Sequence, residues 1–94
     1  MNLRWSHTAI SDLKAIRAWI AQDRPLAAQS VAAHIKASTT RLISFPLSGR
    51  EGRVPGTREL FIPGTDYVAA YTVHSDEVRI AAVLHGHQRW PESF

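Results

Sequence analysis

The chain has 94 residues, no cysteine, and a net charge of +3 with a pI near 10. A chain of this length buries roughly 60 to 68% of its unfolded surface, which predicts one domain over residues 1–94 built on a single modest hydrophobic layer. The lack of cysteine excludes disulfides and thiolate metal sites. No apolar run approaches the ~20 residues of a membrane span and no signal-peptide core is present, so a soluble cytoplasmic protein with no membrane partner is expected.

The positive excess is uneven. Residues 1 to 45 carry six Lys or Arg against two Asp, whereas residues 46 to 94 carry five Arg against six carboxylates. An acidic partner, protein or nucleic acid, is therefore expected on the first half.

In chain order, Leu3 to Trp5 alternate as a short strand, and Ser6 is a helix N-cap. Ile10, Leu13, Ile16 and Ile20 recur at three- and four-residue steps, which predicts an amphipathic helix over roughly residues 7 to 21. Asp23-Arg24-Pro25 breaks that helix and starts a second, marked by Ala28, Val31, Ala32, Ile35, Leu42 and Ile43 and running to Phe45. So short a connection predicts an antiparallel helical hairpin. Pro46 to Gly56, rich in glycine and proline, reads as a loop without regular structure. Strands are expected at Thr57 to Ile62, Tyr67 to His74 and Glu77 to Leu84, joined by turns at Pro63-Gly64-Thr65-Asp66 and Ser75-Asp76. In the last strand, Val78, Ile80, Ala82 and Leu84 alternate on one face against Ala81 and Val83 on the other, so both faces should be covered. The predicted architecture is an α+β two-layer β-α-α-β-β-β fold, a helical hairpin packed on a mainly antiparallel sheet.

Three groups of residues, and one absence, bear on chemistry. His85, His87, Arg89 and Trp90 follow directly on the last strand, where a rigid element fixes position and a loop supplies reactive groups. Imidazoles move protons near neutral pH and a guanidinium stabilises a phosphate that gains charge, a combination suited to RNA cleavage. The alternative is that His85 caps the strand and His87 is solvated. Both histidines lack a third ligand at suitable spacing, so no metal site is expected. Arg50, Arg53 and Arg58 line the glycine loop and the next strand as candidate phosphate contacts, with Glu51 and Glu59 as candidate local partners. Trp19 and Phe61 read as core packing, Tyr71 as a buried mid-strand residue, and Trp90 either folds back over the sheet or awaits a partner. No Walker loop, GxSxG, DxD or HExxH occurs, which removes the usual signatures of nucleotide hydrolysis, serine hydrolysis and zinc proteolysis, and no cofactor is expected.

Ser6, Ala9, Asp12, Leu13 and Ile16 in the spacing S-x-x-A-x-x-D-L-x-x-I resemble the RelE/ParE superfamily of bacterial toxins. So do Phe45-Pro46 before a glycine loop, Arg58-Glu59-Leu60, the Tyr67-Val68 to Tyr71 strand, and Val83-Leu84-His85-Gly86. The resemblance implies a toxin of a type II toxin-antitoxin system, neutralised by an antitoxin segment laid across the basic hairpin or added to a sheet edge. It has two branches, of which the RNA-cutting one is the leading expectation here and the gyrase-binding one the alternative. In the RelE-like branch the protein would be a metal-independent mRNA endoribonuclease working with the ribosome. Arg58, His85 and His87 would then be catalytic, Arg50, Arg53, Arg89 and Trp90 would bind RNA, and Arg58 and the terminal groups would converge at one sheet end. In the ParE-like branch it would act on DNA gyrase without a hydrolytic site. Lysines are missing from the loop before Arg58, a departure from the strongest nucleases.

Overall fold

The computed structural model describes residues 1–94. Strand β1 (Asn2–Trp5) leads through the Ser6 cap into helix α1 (His7–Ala21), and Pro25 opens helix α2 (Pro25–Thr40). Strands β2 (Arg50–Glu51), β3 (Arg58–Phe61), β4 (Tyr67–Val73) and β5 (Glu77–His85) complete one sheet in the order β1-β5-β4-β3-β2. All pairings are antiparallel except β1 with β5, which are parallel. The expected two-layer α+β architecture is therefore present, and no helix is long and apolar enough to cross a membrane.

Two local expectations change first. Helix α2 does not reach Phe45; it ends at Thr40 and tightens into a 3-10 turn at Arg41–Ile43. The Thr39 hydroxyl bonds back to the Ile35 and Lys36 carbonyls and the Thr40 hydroxyl to that of Lys36, competing with the helical ladder where it stops. The segment Pro46 to Gly56 contains regular structure after all, because Arg50 and Glu51 pair with Glu59 and Arg58.

The faces of β5 also differ from simple alternation. Ala70 pairs with Ala82 but Tyr71 pairs with Ile80, so Ala81 is an extra residue and the strand changes phase there. Val78, Ile80 and Val83 consequently share the face packed on the helices, joining Ala9, Ile35, Leu42, Ala69 and Tyr71 in one core. Ala82 and Leu84 fall on the opposite face. The N-cap side chain serves the irregularity: the Ser6 hydroxyl accepts the Ala9 amide and donates to the Ala81 carbonyl at 2.8 Å. Two aromatic residues expected in the core are outside it. Trp19 is 70% exposed, about a quarter turn off the inward stripe of Ala9, Leu13 and Ile16, and Phe61 is 51% exposed on the sheet face away from the helices.

Candidate functional site

Glu59 organises the sheet face that the helices leave open. Alternation along β3 points Leu60 toward the helical layer and Glu59 away from it, yet Glu59 is only 1% exposed. Its carboxylate is satisfied from the loop. Arg53 donates from its backbone amide to Oε2 at 2.7 Å, from Nε to Oε2 at 3.1 Å and from Nη2 to Oε1 at 3.1 Å, a forked pair, and Arg50 adds Nη2 to Oε1 at 3.4 Å. Burial pushes the carboxyl pKa up, but the hydrogen bonds from Arg53, its charge and the bond from Arg50 outweigh that, and the net shift is below the ordinary value. Glu59 is an ionised anchor, marked in the sequence as a candidate partner of the loop arginines and by the Arg58-Glu59-Leu60 run, but not as the buried centre of this face.

Arg53 uses its flat face as well as its edge. The guanidinium carbon lies 3.8 Å from the Trp90 ring centroid, and Nη1 donates to the Gly86 carbonyl at 3.4 Å. Trp90 thus folds back, and its indole Nε1 donates to the His85 carbonyl at 3.2 Å. The segment between is a tight turn around His85. Gln88 Oε1 accepts the His85 amide at 2.7 Å, the Gln88 amide donates to the His85 carbonyl, and the Gly86 amide donates to the Asp66 carbonyl. His85 Nδ1 accepts the His87 amide at 3.2 Å, which leaves the proton of the neutral ring on Nε2, 3.8 Å from Asp66 Oδ2. Tyr67 packs edge-on against the same ring. His87 and Arg89 are exposed.

Arg58 does not join this group. It stands opposite Tyr71 on β4, whereas His85 stands opposite Tyr67, four residues away along the strand or about 13 Å. Its guanidinium turns to the Gly49 carbonyl at 2.8 Å and the Leu47 carbonyl at 3.5 Å, bracing the loop. The expected convergence of Arg58 with His85, His87 and Arg89 at one sheet end is therefore corrected: Arg53 is the arginine that meets the terminal segment. Arg50 likewise lies over the Phe61 ring, 4.5 Å from its centroid, and pairs with Glu59. Two of the three arginines expected to meet phosphate, Arg50 and Arg53, thus hold a carboxylate of their own chain.

A second feature lies on the helical side. Trp5, Ile10, Leu13 and Ala32 floor a groove of about 560 Å³ whose rim carries Lys14, Arg17 and Lys36. None of these three cations has a carboxylate partner. The α1 acid nearest in sequence, Asp12, is spent on the Val83 amide at 2.9 Å. The positive excess of the first half is concentrated along an apolar trough.

Comparisons with known proteins agree on one group. The family described as ParE toxin of type II toxin-antitoxin system, parDE, matches residues 3–90. A candidate toxin of Sinorhizobium fredii, Y4kP, is 40% identical over 90 residues, covering 96% of this chain and 93% of that protein. Toxin RelE2 of Caulobacter vibrioides is 35% identical over 81 residues, covering 86% and 90% respectively. The chromosomal ParDE toxin-antitoxin system of P. aeruginosa contains a chain that superposes with a TM-score of 0.82 at 26% identity, covering 90% of this chain and 95% of that one.

Proposed function

The chain belongs to the ParE toxin family of type II toxin-antitoxin systems, within the RelE/ParE superfamily, and from that premise we propose that it arrests growth by binding DNA gyrase rather than by cutting messenger RNA. One observation carries this reading: of the groups expected to handle RNA, His85, Arg50, Arg53, Arg58 and Trp90 are engaged within the chain, which leaves only His87 and Arg89 exposed. A metal-free cleavage of RNA requires a proton acceptor with a free lone pair and a cation facing the same phosphate. His85 Nδ1 is taken by a backbone amide, Arg53 is taken by Glu59, and Arg58 is about 13 Å along the strand, turned to loop carbonyls. A toxin that works by occupying its target needs none of these groups free.

Neutralisation fits the helical groove. An antitoxin segment with apolar side chains for Trp5, Ile10 and Leu13 and carboxylates for Lys14, Arg17 and Lys36 would complement its floor and rim. The ribosome is the discriminating reagent. Toxin added at stoichiometric amounts to a translating extract should leave the messenger full length; discrete cleavage that depends on ribosomes would replace this reading with the RNA-cutting one, in which exposed His87 and Arg89 would be the groups to mutate first.

A further inference from the structure

We infer that Glu59 is a positioning residue, which through Arg53 clasps the C-terminal segment Gly86 to Trp90 onto the sheet and so sets the surface, with His87 and Arg89 outward, that meets the toxin's target. The clasp itself rests on geometry alone; its link to growth arrest rests on the proposed target-binding activity.

The arrangement is a relay in which each member is held by the one before. A carboxylate placed on a sheet face at 1% exposure is costly unless its lone pairs are met by donors. Here the forked pair fixes the plane of the Arg53 guanidinium, and the backbone amide of Arg53 fixes where the side chain begins. With its edge held, the guanidinium presents one flat face to Trp90 and one donor to the Gly86 carbonyl. Trp90 in turn reaches back to the His85 carbonyl, closing a turn whose outward residues are His87, Gln88 and Arg89. Lysine in place of Arg53 would keep the charge but lose both the fork and the stacking plane. The outward residues are therefore carried on a segment whose position is determined from within β3.

Trp90 supplies a direct reporter. Its indole N–H is hydrogen-bonded, whereas Trp19 is 70% exposed and marks where a free indole resonates in the same spectrum. Glu59→Gln keeps the size of the side chain and removes its charge; Arg53→Lys and Trp90→Ala act at surface positions and carry the test if Glu59→Gln does not fold. In ¹H–¹⁵N spectra, Glu59→Gln and Arg53→Lys should each move the Trp90 indole signal toward the Trp19 position and speed its exchange at least tenfold. Growth arrest should fall at least tenfold in step, as it should for Trp90→Ala, with Trp90→Phe, which keeps a ring over Arg53, retaining most of it. Thermal stability and antitoxin affinity should not follow the same order, as they would if the residues were only structural. An indole signal that stays in place in both Glu59→Gln and Arg53→Lys overturns the clasp. An indole that is released while growth arrest persists at the wild-type level overturns its role in target contact. Should the variants lose growth arrest in step with the indole while the wild type leaves gyrase untouched, the positioning role stands and the identity of the target falls.

Discussion

Tyr71 is fully buried in the middle of β4, and its hydroxyl is the joint between sheet and loop: it accepts the Gly49 amide at 2.9 Å and donates to the Pro46 carbonyl at 2.8 Å. Gly49 is required there because a Cβ would lie 2.5 Å from that hydroxyl. Tyr71→Phe leaves a buried amide without a partner and should cost about 1–3 kcal/mol in denaturant unfolding. Burial holds the Tyr71 pKa above its ordinary value of 10.0, against the opposing Gly49 bond and Arg58 charge. The folded state thus keeps the proton longer than the unfolded one, and stability should be lost as pH rises above about 10, a loss absent from Tyr71→Phe. Glu59 has the opposite sign. Its lowered pKa contributes stability that is present above the ordinary value of 4.5 and lost as pH falls through the lower, folded value. Acid titration should release the Trp90 indole in that range, and Glu59→Gln should show no such transition. At this scale the sequence was only partly legible. Tyr71 reads as buried because it lies mid-strand among apolar neighbours, and Trp90 as one that folds back or waits; that Arg53 rather than Arg58 meets the tail depends on a loop returning over the sheet, which no local spacing encodes.

Elements were the most legible level, because amphipathic spacing and caps are local. Ser6 caps α1 and Pro25 opens α2 as their residue types require. The phase of β5 was not legible, since a bulge at Ala81 reassigns every later residue to the other face and Ala82 and Val83 are both apolar enough for either. The bulge and the early end of β1 leave the β5 edge short of partners. Ser6 takes the Ala81 carbonyl and Asp12 the Val83 amide, so side chains from the α1 end substitute for the missing length of β1. Asp12→Ala should therefore destabilise by about 1–3 kcal/mol, and hydrogen exchange should show the Val83 amide losing protection before the rest of β5. Uniform loss along the strand would contradict this account of the edge.

Across the whole molecule, charge and shape divide the work. The helical layer carries a trough with apolar floor and unpaired cations, and the open sheet face carries the clasped terminal segment. The uneven charge was visible in the sequence, but its collection around Trp5, Ile10 and Leu13 required the hairpin to fold over β1. Replacing Lys14 and Lys36 with Glu should weaken antitoxin binding at least tenfold, about 1.4 kcal/mol, and flatten its dependence on salt; unchanged affinity would move the antitoxin elsewhere. The proposed action of this ParE-family toxin is the occupation of gyrase. Titration of purified toxin into a gyrase supercoiling reaction measures this most directly: supercoiling should fall as toxin approaches the enzyme in amount and return when antitoxin is added. Full supercoiling in the presence of excess toxin that still arrests growth would contradict it.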